Sequence, residues 1–259
     1  MVDMKRRVKY GFTLVEVSLF LAVTGLLFIG IVAGVQGSLS QQRYNDSVQS
    51  FAEFLRSAYS QVMNVENVEG DGGGRTELAI YGKLIVFGES KNFQGAPNDD
   101  GATYVYTVVG GADDIESNNT MDALKEVGAS VVIEEGGTYK LAGIAEQYFT
   151  RWGAAIQTIN GWDGGYEPFK GAVLIARNPK SGAVFTYFNE NTIEINRNLK
   201  DGNLVNKLDN FKIQDVNFCI NPDGDRKGRR RNIRIVAGAR NSSGVEVIAQ
   251  DGEENQCKN

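Results

Sequence analysis

The residue types that could perform chemistry are few in this chain of 259 residues, and histidine is absent. That absence removes the commonest general base, the commonest zinc ligand and every nucleophile that a histidine would activate. The two cysteines, Cys219 and Cys257, are spaced far from the Cys-x-x-Cys pattern of metal sites. We therefore expect no enzyme activity, no cofactor and no metal.

The two cysteines have a structural interpretation instead. Both lie in the last fifth of the chain. A disulfide between Cys219 and Cys257 is expected if this part lies outside the cytoplasm. Closing a loop of that size would stabilise the fold by roughly 3–4 kcal/mol. Two buried free thiols are the alternative.

One carboxylate, Glu16, lies a few residues into a long apolar stretch. Residues 17–42 carry no charge, and residues 17–35 are nearly all apolar. Since a helix rises 1.5 Å per residue, about 20 such residues span the roughly 30 Å hydrocarbon core of a membrane. We predict a transmembrane helix at about residues 14–35. Basic residues ahead of it place the N-terminus in the cytoplasm and everything after Gln36 outside. These residues are Lys5, Arg6, Arg7 and Lys9.

Three kinds of N-terminal segment share this layout. A secretory signal peptide has a shorter apolar core, and "VAGVQG" matches its cleavage site poorly. A plain anchor explains the length but not Glu16, because an acidic group near the end of a membrane helix is costly unless it is paired. The third kind explains both features. "KYGFTLVEVSLFLAV" closely resembles the processing site of class III signal sequences, those of type IV pilins and pseudopilins.

This resemblance implies a cleaved leader and an assembly residue. Residues 1–11 correspond to the leader, which ends at Gly11 and which prepilin peptidase removes on the cytoplasmic side. Phe12 then becomes the N-methylated first residue, and Glu16 becomes the fifth. The partner proposed in the family for this carboxylate is the N-terminal amine of a neighbouring subunit, here that of Phe12. A buried pair of this kind fixes the register between apolar helices that otherwise slide freely.

The helix is expected to continue beyond the membrane, so that residues 12–64 form one long helix. Apolar residues in its second half recur at spacings of three and four, which places them on one face that should pack against a globular head. This face consists of Tyr44, Val48, Phe51, Leu55, Ala58, Tyr59 and Val62.

Residues 65–259 are predicted to form that head. Nine short runs are rich in β-branched and aromatic residues and are mostly bounded by turn-forming residues. They are residues 77–88, 102–110, 130–143, 171–177, 183–188, 192–195, 215–220, 232–237 and 245–249. "EEGGT" and "NPKSGA" are typical of hairpin turns. The predicted fold class is α+β, a long helix packed on an antiparallel sheet.

Secondary structure is hardest to predict from the sequence in segment 111–168 of the head, and we expect an insertion there. It contains a polar loop and a short helical stretch in "MDALKEVG". An aromatic, turn-rich stretch follows from Arg151 onward. Trp152, Trp162 and Tyr166 form either a small satellite core or a binding surface.

The C-terminal part carries a concentrated basic segment. Residues 223–240 hold seven cations and two acids, a net charge of +5 in a chain whose net charge is −5. The chain is therefore electrostatically polarised. In a strand over residues 232–237, Ile233 and Ile235 would face the core. The opposite face would hold Asn232, Arg234 and Val236. The turn ahead would display Arg229, Arg230 and Arg231.

The stretch "CINPDGDRKGRRRNIRIVAGAR" resembles the last hairpin of H-type minor pseudopilins and of related minor pilins of DNA-uptake pili. Clustered arginines can contact phosphates and release counterions, which gives salt-dependent, sequence-independent DNA binding. A solvated hairpin, or a contact with an acidic neighbour in a filament, is the alternative. The candidate DNA-contacting residues are Arg226, Lys227, Arg229, Arg230, Arg231 and Arg234.

These patterns lead us to expect a structural subunit of a type IV pilus-like filament, with a minor pilin or pseudopilin favoured. Its expected partners are other pilin-like subunits, prepilin peptidase and the inner-membrane assembly platform. It would lie in the inner membrane as a single-pass protein with its head outside, and then in a surface or envelope filament. Such filaments serve adhesion, motility, DNA uptake or type II secretion. The alternative functions are a DNA-binding or adhesive tip subunit and a major pilin.

Overall fold

The computed structural model describes most of the chain after the first eleven residues. The described residues are 12–64, 67–69, 75–87, 103–111, 115–135, 138–141, 146–158, 169–190, 204–221, 230–249 and 257. The chain divides into two compact units, Met1–Arg43 and Tyr44–Asn259. Helix α1, Leu14–Met63, contributes residues to both.

The first unit consists, in its described part, of the apolar start of α1. The segment Leu14–Val32 has a mean hydropathy of 2.4, and none of it is buried. Its hydroxyl groups are satisfied within the helix, since Thr24 Oγ1 donates to the Phe20 carbonyl at 2.8 Å and Ser18 Oγ to the Val15 carbonyl at 2.9 Å. By length and composition this segment could cross a membrane or act as a signal sequence.

In the second unit, the remainder of α1 is amphipathic. The seven residues of the predicted apolar face are all buried, with Tyr44 the most exposed at 6%. Ser47 and Ala52 are buried as well, so the face is wider than the predicted stripe. Asp46 and Glu53 are exposed on the other side. The residues that the periodicity of three and four placed on one face are therefore all buried.

The described part of the second unit contains twelve strands. They are β1 (Asn67–Glu69), β2 (Arg75–Phe87), β3 (Thr103–Gly111), β4 (Ser130–Glu135), β5 (Thr138–Leu141), β6 (Glu146–Tyr148), β7 (Ala155–Gln157), β8 (Gly171–Arg177), β9 (Val184–Asn189), β10 (Val216–Asn221), β11 (Arg231–Ile235) and β12 (Val245–Ile248). Eight of them form one antiparallel sheet in the order β5-β4-β3-β2-β8-β9, with β1 beside β2 and β6 beside β3. The other four form an antiparallel sheet in the order β12-β11-β10-β7.

The central strands of the larger sheet bury both faces, because successive side chains point to opposite sides. Ile85 and Val173 belong to a core shared with α1 and with the inner face of the smaller sheet. Leu84 and Leu174 belong to a second core on the other face. That second core is completed by helix α2 (Thr120–Glu126) and by a 3₁₀ turn at Val205–Asn210.

The first core is held together by aromatic rings. Phe51 of α1 makes edge-to-face contacts with Phe87 and Phe218, with ring centroids 6.3 and 5.3 Å apart. Nearer the C-terminal end of α1, the Tyr59 hydroxyl is 2.5 Å from Thr186 Oγ1. The Thr186 hydroxyl in turn donates to the Ala239 carbonyl. This buried chain of hydrogen bonds joins α1, the larger sheet and the turn after β11.

The structure is thus mixed helix and antiparallel sheet with an N-terminal apolar helix. Eight of the nine predicted strand runs are confirmed, and the ninth, residues 192–195, lies outside the described residues. The "NPKSGA" turn connects β8 to β9, and β4 pairs with β5 around "EEGGT". The short helical stretch is α2. The segment 111–168, expected to be an insertion, supplies strands to both sheets.

Candidate functional site

Thr13 and Glu16 bond to each other at the start of α1. The Thr13 amide and Thr13 Oγ1 both donate to Glu16 Oε2, each at 2.9 Å. In return, the Glu16 amide donates to Thr13 Oγ1 at 3.3 Å. This is a capping box, in which two side chains three residues apart satisfy amides that have no helical partner in the first turn. The Glu16 carboxylate therefore helps to start the helix.

The surroundings of Glu16 are apolar and exposed. Phe12 and Leu14 are 86% and 85% exposed, and no charged residue follows Glu16 until Arg43. Covering this surface with other apolar helices would move the carboxylate into a medium of low dielectric, where it needs hydrogen bonds and an opposite charge. Thr13 supplies two hydrogen bonds to the Glu16 carboxylate, but the opposite charge would have to come from another group.

Sequence reasoning missed Thr13. The signal was present, since Thr-x-x-Glu ahead of an apolar run is the pattern of a capping box. The predicted cleavage site is only half visible, because Phe12 is described and Gly11 lies outside the described residues.

The basic segment differs from its prediction. Arg226, Lys227 and Arg229 lie outside the described residues. Arg230 was expected on a displayed turn, and this is wrong, because Arg230 is only 6% exposed. Burial lowers the pKa of its guanidinium.

Arg231 lies at the start of β11, where Tyr44 covers it. Its amide donates to the Tyr44 hydroxyl at 2.7 Å, and its guanidinium lies 5.9 Å from the centre of the Tyr44 ring. The same hydroxyl donates to the Ile220 carbonyl at 2.9 Å. Burial raises the pKa of Tyr44 to about 12, against the opposing effect of the Arg231 amide and charge. Arg231 therefore packs against Tyr44 and is only partly exposed, in contrast to the fully displayed cation that was predicted.

Arg234 faces away from the core, as predicted, and binds Glu246 directly opposite on β12. Arg234 Nε and Nη2 both donate to Glu246 Oε2, at 3.0 and 2.6 Å. Ile233 and Ile235 are fully buried, which confirms the predicted alternation. Asn232 is also fully buried, and its side chain donates to Asn217 at 2.9 Å.

A disulfide joins Cys219 and Cys257 in the structure. Cys219 lies in β10, between Gln157 of β7 and Asn232 of β11 in the strand register. Gln157, Cys219 and Asn232 lie side by side on the face of the smaller sheet that points away from the first core. All three residues are at most 2% exposed. The bond encloses β11 and β12 in one covalent loop.

In the part of the chain that the structure describes, no group of three or more His, Cys, Asp or Glu side chains is placed to hold a metal ion. Comparison with protein-family models, with curated protein sequences and with solved structures found no match.

Proposed function

We propose that this chain is the precursor of a type IV pilin-like filament subunit, with a minor pilin or pseudopilin favoured over the major pilin. The observation that carries the proposal is one carboxylate, Glu16, placed at the start of an exposed apolar helix, five residues after Gly11. In this proposal the apolar helix lies in the inner membrane and the second unit forms a sheet-rich head outside it. The subunit acts by assembling and performs no catalysis.

Cleavage supplies the charge that Glu16 requires. In the precursor the nitrogen of Phe12 is an uncharged amide, and after removal of residues 1–11 it becomes a cationic amine. Apolar helices can then associate only in registers that bring this amine to a neighbouring Glu16, because an unpaired carboxylate in an apolar interface is strongly unfavourable. Filament assembly is therefore coupled to processing by electrostatics alone.

Mass spectrometry of the N-terminus tests the processing step. Protein purified from cells that contain prepilin peptidase should begin at Phe12 and carry a methyl group. Gly11→Leu should retain the leader. Gly25→Ala is the matched control, because a Cβ at Gly25 meets nothing within 4 Å, and it should be processed normally. A wild-type chain that keeps residues 1–11, or that begins after the apolar segment, would contradict the proposal.

Substitution of Glu16 separates its two roles. Glu16→Gln keeps a capping box, since Gln serves at this position, but removes the charge. We expect Glu16→Gln and Glu16→Ala both to remove filaments from the sheared fraction. Glu53 is an exposed residue of the same helix, and the Glu53→Gln variant should assemble normally. If Glu16→Gln assembles as well as wild type, the carboxylate only caps the helix and the charge-pair proposal is wrong.

Two of the candidate DNA-contacting residues are not displayed for contact with phosphates. Arg230 is buried, and Arg234 binds Glu246. We therefore propose assembly as the function and leave DNA contact as the prediction made from sequence.

A further inference from the structure

A tight turn between the two sheets presents two aromatic side chains and a cation. Residues 149–152, here called the aromatic turn, connect β6 of the larger sheet to β7 of the smaller one. Phe149 and Trp152 are each 54% exposed, and Arg151 between them is exposed. The turn is closed by a hydrogen bond from Thr150 Oγ1 to the Ala154 carbonyl and by one from the Ala154 amide to the Arg151 carbonyl.

The backbone of this turn is strained. Trp152 has φ 60° and ψ 29°, and it is the single non-glycine residue with positive φ among the described residues. Such a conformation is rare and unfavourable for a bulky side chain. Leaving a tryptophan half exposed in water is unfavourable as well. Strained backbone is concentrated at functional sites, which makes this exposed turn a candidate for contact with another molecule.

The aromatic turn lies at one identifiable end of the second unit. Trp152 is three residues before Ala155, which pairs with Asn221 of β10. The preceding residue of β10, Ile220, accepts the hydrogen bond from Tyr44. Tyr44 is the first residue of the second unit. The turn is therefore at the end of this unit where the chain enters it.

The segment that leads into this end of the second unit has almost no charge, which is compatible with a nearby membrane surface. Arg43 is the first charged residue after Glu16, and the segment between them carries no charge. The candidate membrane span Leu14–Val32 is thus joined to the second unit by residues 33–43, of which Arg43 alone is charged.

We propose that the aromatic turn inserts into the headgroup region of an anionic membrane while the chain is anchored there. Tryptophan is enriched at membrane interfaces because its ring is apolar and its N–H can still hydrogen-bond. Arg151 adds attraction to lipid phosphates. The inference rests on the membrane-inserted state in the proposed function, and it does not require filament assembly.

The size of the patch favours lipid over a second copy of the chain. A stable protein interface buries upwards of about 1,000 Å². An aromatic side chain offers about 150–250 Å², and both rings here are already half covered. Two such rings are too small to hold a protein partner, but interfacial anchoring needs only one or two of them.

Fluorescence of the full chain in lipid vesicles tests this proposal. The chain has two tryptophans, so Trp162→Phe leaves Trp152 as the single emitter. The protein is placed in phosphatidylcholine–phosphatidylglycerol vesicles, with and without bromine on the upper acyl carbons. We expect brominated lipid to reduce Trp152 emission, and aqueous iodide to quench it less than in detergent. Equal emission in both kinds of vesicle, with full quenching by iodide, would overturn the proposal.

Additional variants isolate the emission of Trp152 and test the contribution of Arg151. Trp152→Phe, subtracted from wild type, isolates the same signal if Trp162→Phe folds poorly. Arg151→Gln should weaken the bromine effect, and Lys180→Gln, an exposed cation in the turn between β8 and β9, should not. A Trp152 signal that follows protein concentration and ignores bromine would assign the turn to a second copy and overturn the lipid proposal. Flotation of the vesicles reports membrane insertion separately, so failure of the anchor and failure of the aromatic turn are distinguishable.

Discussion

The two halves of α1 use apolar residues in opposite ways. In the first half, apolar side chains occur all round the helix and remain exposed, as with Leu26 at 72% and Phe28 at 68%. In the second half they form one face, and Phe51 and Leu55 are completely buried. Each large apolar side chain left in water forgoes about 1.5–3 kcal/mol. The apolar residues of the second half are covered by other residues of the second unit. Those of the first half are not covered by any described residue, as is typical of a membrane span or a signal sequence.

The largest test of this contrast replaces one phenylalanine in each half. Phe51→Ala should lower the free energy of unfolding of the second unit by about 3–5 kcal/mol, because it opens a cavity among the four aromatic rings that contact Phe51. Phe20→Ala, at 65% exposure, should change it by less than about 0.5 kcal/mol. Denaturant unfolding in mild detergent measures both. Similar losses for the two variants would show that the halves are not distinct.

The disulfide should act on the second unit alone. Replacing Cys219 and Cys257 together by serine should lower its stability by roughly 3–4 kcal/mol, because the cross-link restricts the unfolded chain. Reduction of the wild-type protein is the matched control and should produce the same shift in midpoint. A variant as stable as wild type under oxidising conditions would contradict a structural role for the bond.

Alkaline pH should also unfold the second unit selectively, because the described part of the first unit has no tyrosine. Burial raises the pKa of Tyr44 and of Tyr59 to about 12. Because the unfolded value is about 10, the folded state holds these protons more tightly. Their stabilisation is complete below pH 10 and is lost as the pH rises through about 12, by about 2–3 kcal/mol each.

Unfolding midpoints between pH 8 and 12 measure this effect. Tyr59→Phe should flatten the pH dependence, although it also removes the hydrogen bond to Thr186. Tyr148 and Tyr187, whose pKa values burial also raises, should keep part of the dependence in this variant. A slope unchanged by Tyr59→Phe would mean that this hydroxyl is not protected by the fold.

The smallest expected effect belongs to the first half. Thr13→Ala removes the capping box and should destabilise the helix start by about 1 kcal/mol. Hydrogen exchange of the first-turn amides in detergent measures this change. Thr13→Ser preserves the cap and should match wild type. Faster exchange in the second unit of Thr13→Ala would contradict the separation of the two halves.

Much of the fold was predictable because most strands are rich in β-branched and aromatic residues and are bounded by turn-forming residues. β8, for example, is an apolar run of five residues between Gly171 and Arg177. The strands β1, β6 and β7 have three residues each, which is too short for a period of two to be recognised. Their place in the sheets depends on distant partners, such as Asn221 for Ala155, that local sequence does not identify.

The candidate site was predictable only where its chemistry is local. Glu16 stands out as a lone charge, and Thr13 was recognisable from its spacing to Glu16. Arg230 was misplaced because charge favours exposure, and its burial results from tertiary packing. The cover over Arg231 comes from Tyr44, which is 187 residues away in sequence. No local pattern could have indicated that contact.

If the second unit is exported as in the proposed function, the position of Cys257 determines when the disulfide can form. In the proposed topology the N-terminus stays inside and the residues nearest the anchor cross first, so β10, β11 and β12 cross before the Cys257 sulfur. In that proposal the Cys219–Cys257 bond forms late, and it marks a molecule whose smaller sheet has already crossed. Counting alkylatable thiols in pulse-labelled cells would then read out, molecule by molecule, how many copies are still in transit.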